Sequence, residues 1–358
     1  MNHSVNLRRD MTVSQFHKYK FYLPEVLNYG LNLLVFQAQR LYTTENHCHF
    51  YYFQVHSLRS SHKMTDERNF RSSYYEKVGC RGVEEKKSLE ILLKEKPWDK
   101  LKLKQFCLRF TVPAAYRNLV WKVLLDILPV YPDSHQFVME QRTDQYNDLL
   151  YAVELLDLVD LKAPRSKILL QMWLLDNEQR EPPIFKETNC SLEDTFVPIT
   201  DTLLELYDDE VDIYWFAKSL TEVVRVMQKD LSKLNEAFQS MLEKEDGELY
   251  NHLVELNALE KLPLLKWYNC CFAGVLDDTS LAKIWDKLCS GAPKILSFVA
   301  VMLIITLRRN ILKAKSVQEI LKCVSQIPEQ YEEVIALKAM ELWQYYGSQP
   351  QNDPLAKK

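Results

Sequence analysis

Residues Leu262–Val301 read LPLLKWYNCCFAGVLDDTSLAKIWDKLCSGAPKILSFVAV, and this stretch decides the fold class. Trp267, Cys271 and Phe272 recur at helical spacing, as do Leu281, Ile284, Trp285 and Leu288. Side chains three and four positions apart share one face of a helix, so each set describes an apolar stripe. The apolar run Ile295–Leu307 then continues for 13 residues between Lys294 and the Arg308–Arg309 pair. A bilayer span needs about 20 apolar residues. The run therefore reads as a helix buried on all sides.

Outward from this stretch, residues 88–346 read as helix after helix. Pro113 precedes a segment in which Leu119, Val120, Val123, Leu124, Ile127 and Leu128 keep helical spacing, and Pro129 stops it. A second helix is expected from about His135 to Leu158. Tyr146, Leu149, Val153 and Leu156 mark one face of it, and Leu150, Leu155 and Leu158 widen the stripe. Ser191 with Asp194, and Ser316 with Glu319, have the spacing of capping boxes. Later helices carry Trp215, Val223 and Met227, then Leu234, Phe238 and Met241. Alternating strand patterns between turn signals are nearly absent, and no repeat of fixed period appears. The expectation is an all-α fold with no sheet, in which Trp121, Trp267 and Trp285 are buried.

Composition excludes several functions. The chain has 358 residues and only 7 Gly, at positions 30, 79, 82, 247, 274, 291 and 347. Phosphate-cradling loops need several Gly close together, so no Walker loop or dinucleotide fingerprint exists. Eight Cys are scattered without a Cys-x-x-Cys pair, and Cys270 and Cys271 are adjacent. Such usage suits a reducing compartment, with Cys as small apolar residues. A net charge of −4 offers no footprint for nucleic acid. Residues 1–63 differ from the rest: they carry six of the eight His, net charge +4, and no sustained helical period. Their His lack a regular ligand spacing, so no metal and no cofactor is expected. Residues 1–63 are read as a leader outside the domain, either a disordered arm or an extension ahead of the true start. Met64 opens a sensible beginning, MTDERNFRSSYYEKVG. The domain is placed at 64–347 and a flexible tail at 348–358.

Three segments carry more than pattern. RNLVWKVLLDILP (Arg117–Pro129) has an Arg, then an apolar-Trp pair, then a paired-Leu helix. The opening stretch has Trp267, CysPheAla at Cys271–Ala273, IleTrpAsp at Ile284–Asp286, and Gly291 before the apolar helix. YWFAKSL (Tyr214–Leu220) follows the acidic Asp208–Asp212. Together they resemble the TBC-domain family, the fold of Rab GTPase-activating proteins, over about residues 79–346. NFRSSYYEKVGCRGVEEKKSLEILLK (Asn69–Lys94) is similar to one branch of that family. The resemblance implies a small protein that is almost all TBC domain. It implies a third subunit of the tuberous sclerosis complex, binding a hamartin coiled coil and reaching tuberin through the complex. That complex activates the GTPase Rheb and so restrains mTOR complex one. The implied location is cytoplasmic, or peripheral on lysosomal or other vesicle membranes. Rab-family GTPases stay open as further partners.

Active members of the family resemble one another in two finger motifs, IxxDxxR and YxQ. The Arg offers a fixed fork of donors to phosphate oxygens, and the Gln amide can both donate to and accept from the attacking water. This chain contains no Asp-x-x-Arg. Its one Tyr-x-Gln, Tyr52–Gln54, lies in the leader, and FVPITDTLLELYDDEVD ahead of Tyr214 holds no Gln. The expectation is a non-catalytic scaffold subunit. The alternative is an active Rab GTPase-activating protein with a non-standard finger. Arg165, five residues after Asp160 and directly after Pro164, is then either a displaced finger or a solvated loop residue. Partner-binding residues are sought on the 135–158 helix at Tyr146, Leu149, Leu150, Val153 and Leu156. The other reading of that broad stripe is simple core.

Overall fold

The computed structural model describes residues 81–160, 162–177 and 191–347. The expectations for residues 1–63, for Tyr52–Gln54 and for the tail 348–358 lie outside the described residues. The first five helices are α1 (Arg81–Lys94), α2 (Lys100–Arg109), α3 (Ala114–Leu124), α4 (His135–Leu155) and α5 (Arg165–Asp176). Then come α6 (Leu192–Leu206), α7 (Glu210–Met227), α8 (Leu231–Glu245), α9 (Gly247–Glu255) and α10 (Leu264–Asn269). The last are α11 (Asp278–Cys289), α12 (Ile295–Thr306), α13 (Arg308–Ile311), α14 (Val317–Ser325) and α15 (Glu332–Leu342). No strand occurs among the described residues, so the fold is all-α as expected.

The apolar run forms α12, with every residue from Ile295 to Ile304 buried. Neighbours α8 and α15 cover it. Trp121 and Trp285 are wholly inaccessible, and Trp267 is buried. The Ser191 box is complete: Ser191 Oγ accepts from Asp194 N at 3.0 Å while Asp194 Oδ2 accepts from Ser191 N at 3.4 Å. At α14, Ser316 Oγ accepts from Glu319 N at 3.3 Å, and the Glu319 carboxylate turns instead to Lys315 N.

Two helices end sooner than their apolar spacing suggests. The segment after Pro113 stops at Leu124, because Asp126 takes φ +60° and the N–H groups of Ile127 and Leu128 both return to Lys122 O. α4 stops at Leu155 rather than Leu158: Asp157 takes φ +50° and Leu158 N returns to Val153 O. Asn257, at φ +51°, ends α9 in the same way. A left-handed residue that lets the following N–H groups reach back is the usual helix stop, most often a Gly. Here Asp and Asn take that role, which they tolerate better than other residues with a Cβ.

At the centre of the packing is Asp286, a carboxylate with no exposed surface. Its Oδ1 accepts from Arg117 Nε at 2.9 Å and from Trp121 Nε1 at 2.9 Å. Its Oδ2 accepts from Val112 N at 3.0 Å and from Arg117 Nη2 at 3.3 Å. Burial pushes this carboxyl up, and the Arg117 guanidinium, the Val112 N–H and the Trp121 indole pull it back. About 100° round α3, Asn118 Nδ2 donates to Asp212 Oδ2 at 2.8 Å and Lys122 Nζ lies 2.6 Å from Asp212 Oδ1. Arg117 and Trp121 are four residues apart, as are Asn118 and Lys122. Each pair therefore shares a face, and α3 is bolted to α11 on one side and to α7 on the other.

Next to Asp286, the Trp285 indole donates to Cys271 O at 3.0 Å. That bond fixes a costly turn, because Cys271 (φ +49°) and Phe272 (φ +63°) are consecutive left-handed residues with side chains. Stacking of Trp267 on Phe272 at 5.7 Å closes the turn. Lys287, on the other side of Asp286, is buried and donates to the carbonyls of Cys107 and Phe110.

Three outcomes follow from this core. Asp286→Asn puts an NH2 against a pair of donors in either orientation and removes the charge opposite Arg117. It should cost about 3–5 kcal/mol in urea unfolding, and a variant as stable as the wild type would show that the carboxylate is dispensable. Trp285→Ala should cost about 3–5 kcal/mol through the cavity it leaves. The third concerns pH. Burial pushes Lys287 down to about 8 from an ordinary 10.5. Below about 8 the folded chain carries an amine whose charge burial disfavours, and between 8 and 10.5 the unfolded chain binds the extra proton. Stability contributed by this group therefore rises with pH across that window. The buried thiols, pushed up by burial, act oppositely; those of Cys271 and Cys289 are common to wild type and Lys287→Met. Loss of the Lys287 charge pushes Cys107 further up in the variant, which favours wild type in the same direction. The stability difference between the two should move in favour of wild type from pH 8 to 10. A difference that stays constant would contradict the assignment.

Candidate functional site

Arg165 is the first residue of α5, with Pro164 as its N-cap at φ −49°, ψ 138°. The solvated-loop reading is thus corrected. The restriction imposed by a proline falls on the residue before it, here Ala163, while a proline can lead directly into a helix. Nor does the side chain project freely. Arg165 Nη2 donates to Glu210 Oε2 at 2.5 Å and to Tyr146 Oη at 2.8 Å. Tyr146 in turn donates to Glu210 Oε2 at 2.8 Å. Glu210 opens α7, where Asp209 caps the first turn by accepting from Val211 N and Asp212 N. The three side chains therefore close a triangle among α4, α5 and α7.

The charges in this triangle are mutually fixed. Burial opposes the Arg165 charge, but bonds to Glu210 and Tyr146 outweigh it and raise the guanidinium above its ordinary value. Burial and the bond to Glu210 push the Tyr146 phenol up to about 12, so it remains a neutral donor. Lys167 on α5 reaches Glu193 on α6 at 3.3 Å, and the neighbouring Asp194 is committed to its cap.

The residues singled out on α4 separate by face. Tyr146 and Val153 are buried in the core. Leu149 and Leu150 are half-buried and packed against it, and Leu156, just past the helix, is half-buried. The expectation that this stripe meets a partner is corrected for Tyr146 and Val153: it is the face α4 turns inward. The outward face carries Phe137, 65% exposed, Tyr151, 55%, and Leu155, 53%. Phe137 and Leu155 stand about five turns apart at 3.6 residues per turn, and Tyr151 lies one turn before Leu155. Tyr146 follows Phe137 by about two and a half turns, which puts it on the opposite side. The outward stripe is sparse, broken by Gln141, Asp144 and Asp148, so a search for continuous apolar spacing passes over it.

Polar contacts fix α4 beside its apolar packing. Besides the Tyr146 triangle, Arg142 donates to Ile127 O at 2.7 Å and to Asp126 O at 3.3 Å. Its guanidinium lies 4.1 Å over the Trp215 ring, whose Nε1 donates back to Arg142 O at 3.3 Å. Gln145 Nε2 donates to Asp176 Oδ1 at 3.3 Å, and the same carboxylate receives Lys218 and Tyr214. No helix among the described residues is long and apolar enough to cross a membrane.

Residues 196–312 match the family model described as the Rab-GTPase-TBC domain. That range contains Asp212 and Asp286 and begins after Arg165. The chain is 43% identical over 282 residues to a TBC1 domain family member 7 from Xenopus tropicalis, covering 77% of this chain and 94% of that one. It is 41% identical over 287 residues to a TBC1 domain family member 7 from Homo sapiens, covering 79% of this chain and 97% of that one. The solved Chlamydomonas flagellar RabGAP TBC domain is 18% identical, with 81% of this chain and 99% of that one covered and a TM-score of 0.49. With relatives this similar along nearly their whole length, the chain belongs to the TBC-domain family.

Proposed function

We propose that the chain is a non-catalytic scaffold subunit of a hamartin–tuberin complex. There it supports the complex's GTPase activation of Rheb and so restrains mTOR complex one. The observation that carries the reading is the state of Arg165. It is the arginine nearest the expected finger position, it lacks an Asp three residues before it, and Glu210 and Tyr146 already occupy it. An arginine finger must approach the phosphates from a rigid element with its donors available, and it is typically worth about 10³–10⁵ in rate. Moving Arg165 outward would break two hydrogen bonds and leave Glu210 and a buried phenol without their cation. The absence of Asp-x-x-Arg throughout, and of Tyr-x-Gln after Gln54, points the same way. The likeness to proteins called TBC1 domain family member 7, and the similarity of Asn69–Lys94 to that branch, support the choice of complex.

A scaffold needs a surface, and the outward face of α4 fits a helical partner. Tyr151 and Leu155 lie one turn apart, with Phe137 on the same side of this 21-residue helix, and together they offer a helical partner an exposed apolar stripe. The rival reading, an active Rab GTPase-activating protein with a non-standard finger, draws support only from the family's general description.

Single-turnover GTP hydrolysis by a panel of Rab proteins should run at the same rate with and without the chain. Acceleration that disappears in Arg165→Ala would establish the rival. In parallel, a hamartin coiled-coil fragment should bind the wild type and lose at least about tenfold in affinity, roughly 1.4 kcal/mol, against the double variant Tyr151→Asp, Leu155→Asp. Both positions are exposed, so circular dichroism of the variant should be unchanged. Equal binding by a folded double variant would rule out this face.

A further inference from the structure

The Arg165 triangle has a consequence for α4 itself. Only Tyr146 and Val153 of this 21-residue helix are fully buried. By contrast, α11 buries nine of its 12 residues. Val138, Met139, Leu149 and Leu150 add half-buried contacts to the core, so apolar packing seats α4 while directional polar bonds fix its orientation. Those bonds fall into two groups. Arg142 and Gln145 anchor the helix to Asp126, Ile127, Trp215 and Asp176. Tyr146 anchors it to the first turns of α5 and α7, through Arg165 and Glu210. The second anchor is the nearer to Tyr151 and Leu155, which follow Tyr146 by about one and a half to two and a half turns.

We propose that Arg165 is a positioning residue for partner docking: through Tyr146 and Glu210 it sets the pose in which α4 presents Phe137, Tyr151 and Leu155. The inference rests on the docking face proposed above. Arg165 lies outside the docking stripe. Its side chain is about one quarter exposed and points to the inward side of α4, opposite the docking stripe. It acts by keeping the binding-competent pose populated, because affinity falls in proportion to the fraction of molecules in that pose. Arg suits the place better than Lys, since its fixed fork of donors reaches a phenol and a carboxylate together while an ammonium is a single point.

The test uses the full chain and four variants: Arg165→Ala, Arg165→Lys, Tyr146→Phe, and the double variant Tyr151→Asp, Leu155→Asp. Two readouts are taken. One is affinity for the hamartin coiled-coil fragment. The other is amide hydrogen exchange of residues 135–155 relative to α11 and α12, measured without partner. Arg165→Ala should weaken binding measurably, by at most about fivefold for each ordinary hydrogen bond lost. It should also speed exchange in α4 selectively. Tyr146→Phe should do the same, and Arg165→Lys should fall between Arg165→Ala and the wild type. A uniform rise of exchange through α4, α11 and α12 would mean that Arg165 only stabilises the domain, and would overturn the proposal. Unchanged affinity and unchanged α4 exchange in Arg165→Ala would overturn it too. If Arg165→Ala binds normally while the double variant does not, the docking face stands and the positioning role falls. If the fragment binds every variant equally, the docking face itself is wrong. If the wild type does not bind the fragment at all, the scaffold reading falls and the positioning role falls with it.

Discussion

One buried carboxylate ties α3 and the loop before it to α11, and the packing between those elements depends on it. Asp286 has no access to water, and a charge in such a place is tolerated only when donors replace its hydration. Four donors do so, drawn from a loop residue, Val112, and from two positions of α3, Arg117 and Trp121. These groups are more than 160 residues away along the chain. The bonds therefore join the two ends of the fold, and the requirement is mutual. Arg117 and Trp121 need an acceptor in the core as much as Asp286 needs donors. The Trp285 bond to Cys271 O, one residue away, extends the same logic to a turn that would otherwise be too strained to persist.

This arrangement explains which parts of the fold were legible in the sequence. The apolar run of α12 announced a buried helix because it is too short to span a bilayer and has no polar face to turn to water. Trp121, Trp267 and Trp285 were legible because each sits on a helical stripe. The bond between Arg117 and Asp286 was not, since nothing local in RNLVWKVL or IWDKL says that the two segments meet. Helix ends were misplaced where Asp126 and Asp157 supply the left-handed residue, because both sit inside continuous apolar spacing and neither is a Gly. Spacing alone runs past such a stop.

On α4, apolar spacing marks one broad stripe and counts Leu155 in it, while the structure separates two faces. The denser one, through Tyr146 and Val153, proved to be the core face, as dense stripes usually do. The sparser one, through Phe137, Tyr151 and Leu155, is exposed. Arg165 was misplaced for a related reason. Pro164 directly before it reads as a loop, while its partners Tyr146 and Glu210 come from two other helices, 19 and 45 residues away. A side chain's availability is a tertiary property. It is also the property on which a finger depends, so the functional question could be framed from sequence but not weighed without coordinates.

The central claim is that this TBC domain works by presenting a helix to a coiled coil rather than an arginine to a nucleotide. Hydroxyl-radical footprinting of the full chain, with and without the hamartin coiled-coil fragment, tests it side chain by side chain. The account predicts that Phe137, Tyr151 and Leu155 lose reactivity in the complex, while the exposed Val334 and Leu337 of α15 react as before. Protection of α15 with Phe137, Tyr151 and Leu155 left fully reactive would contradict it.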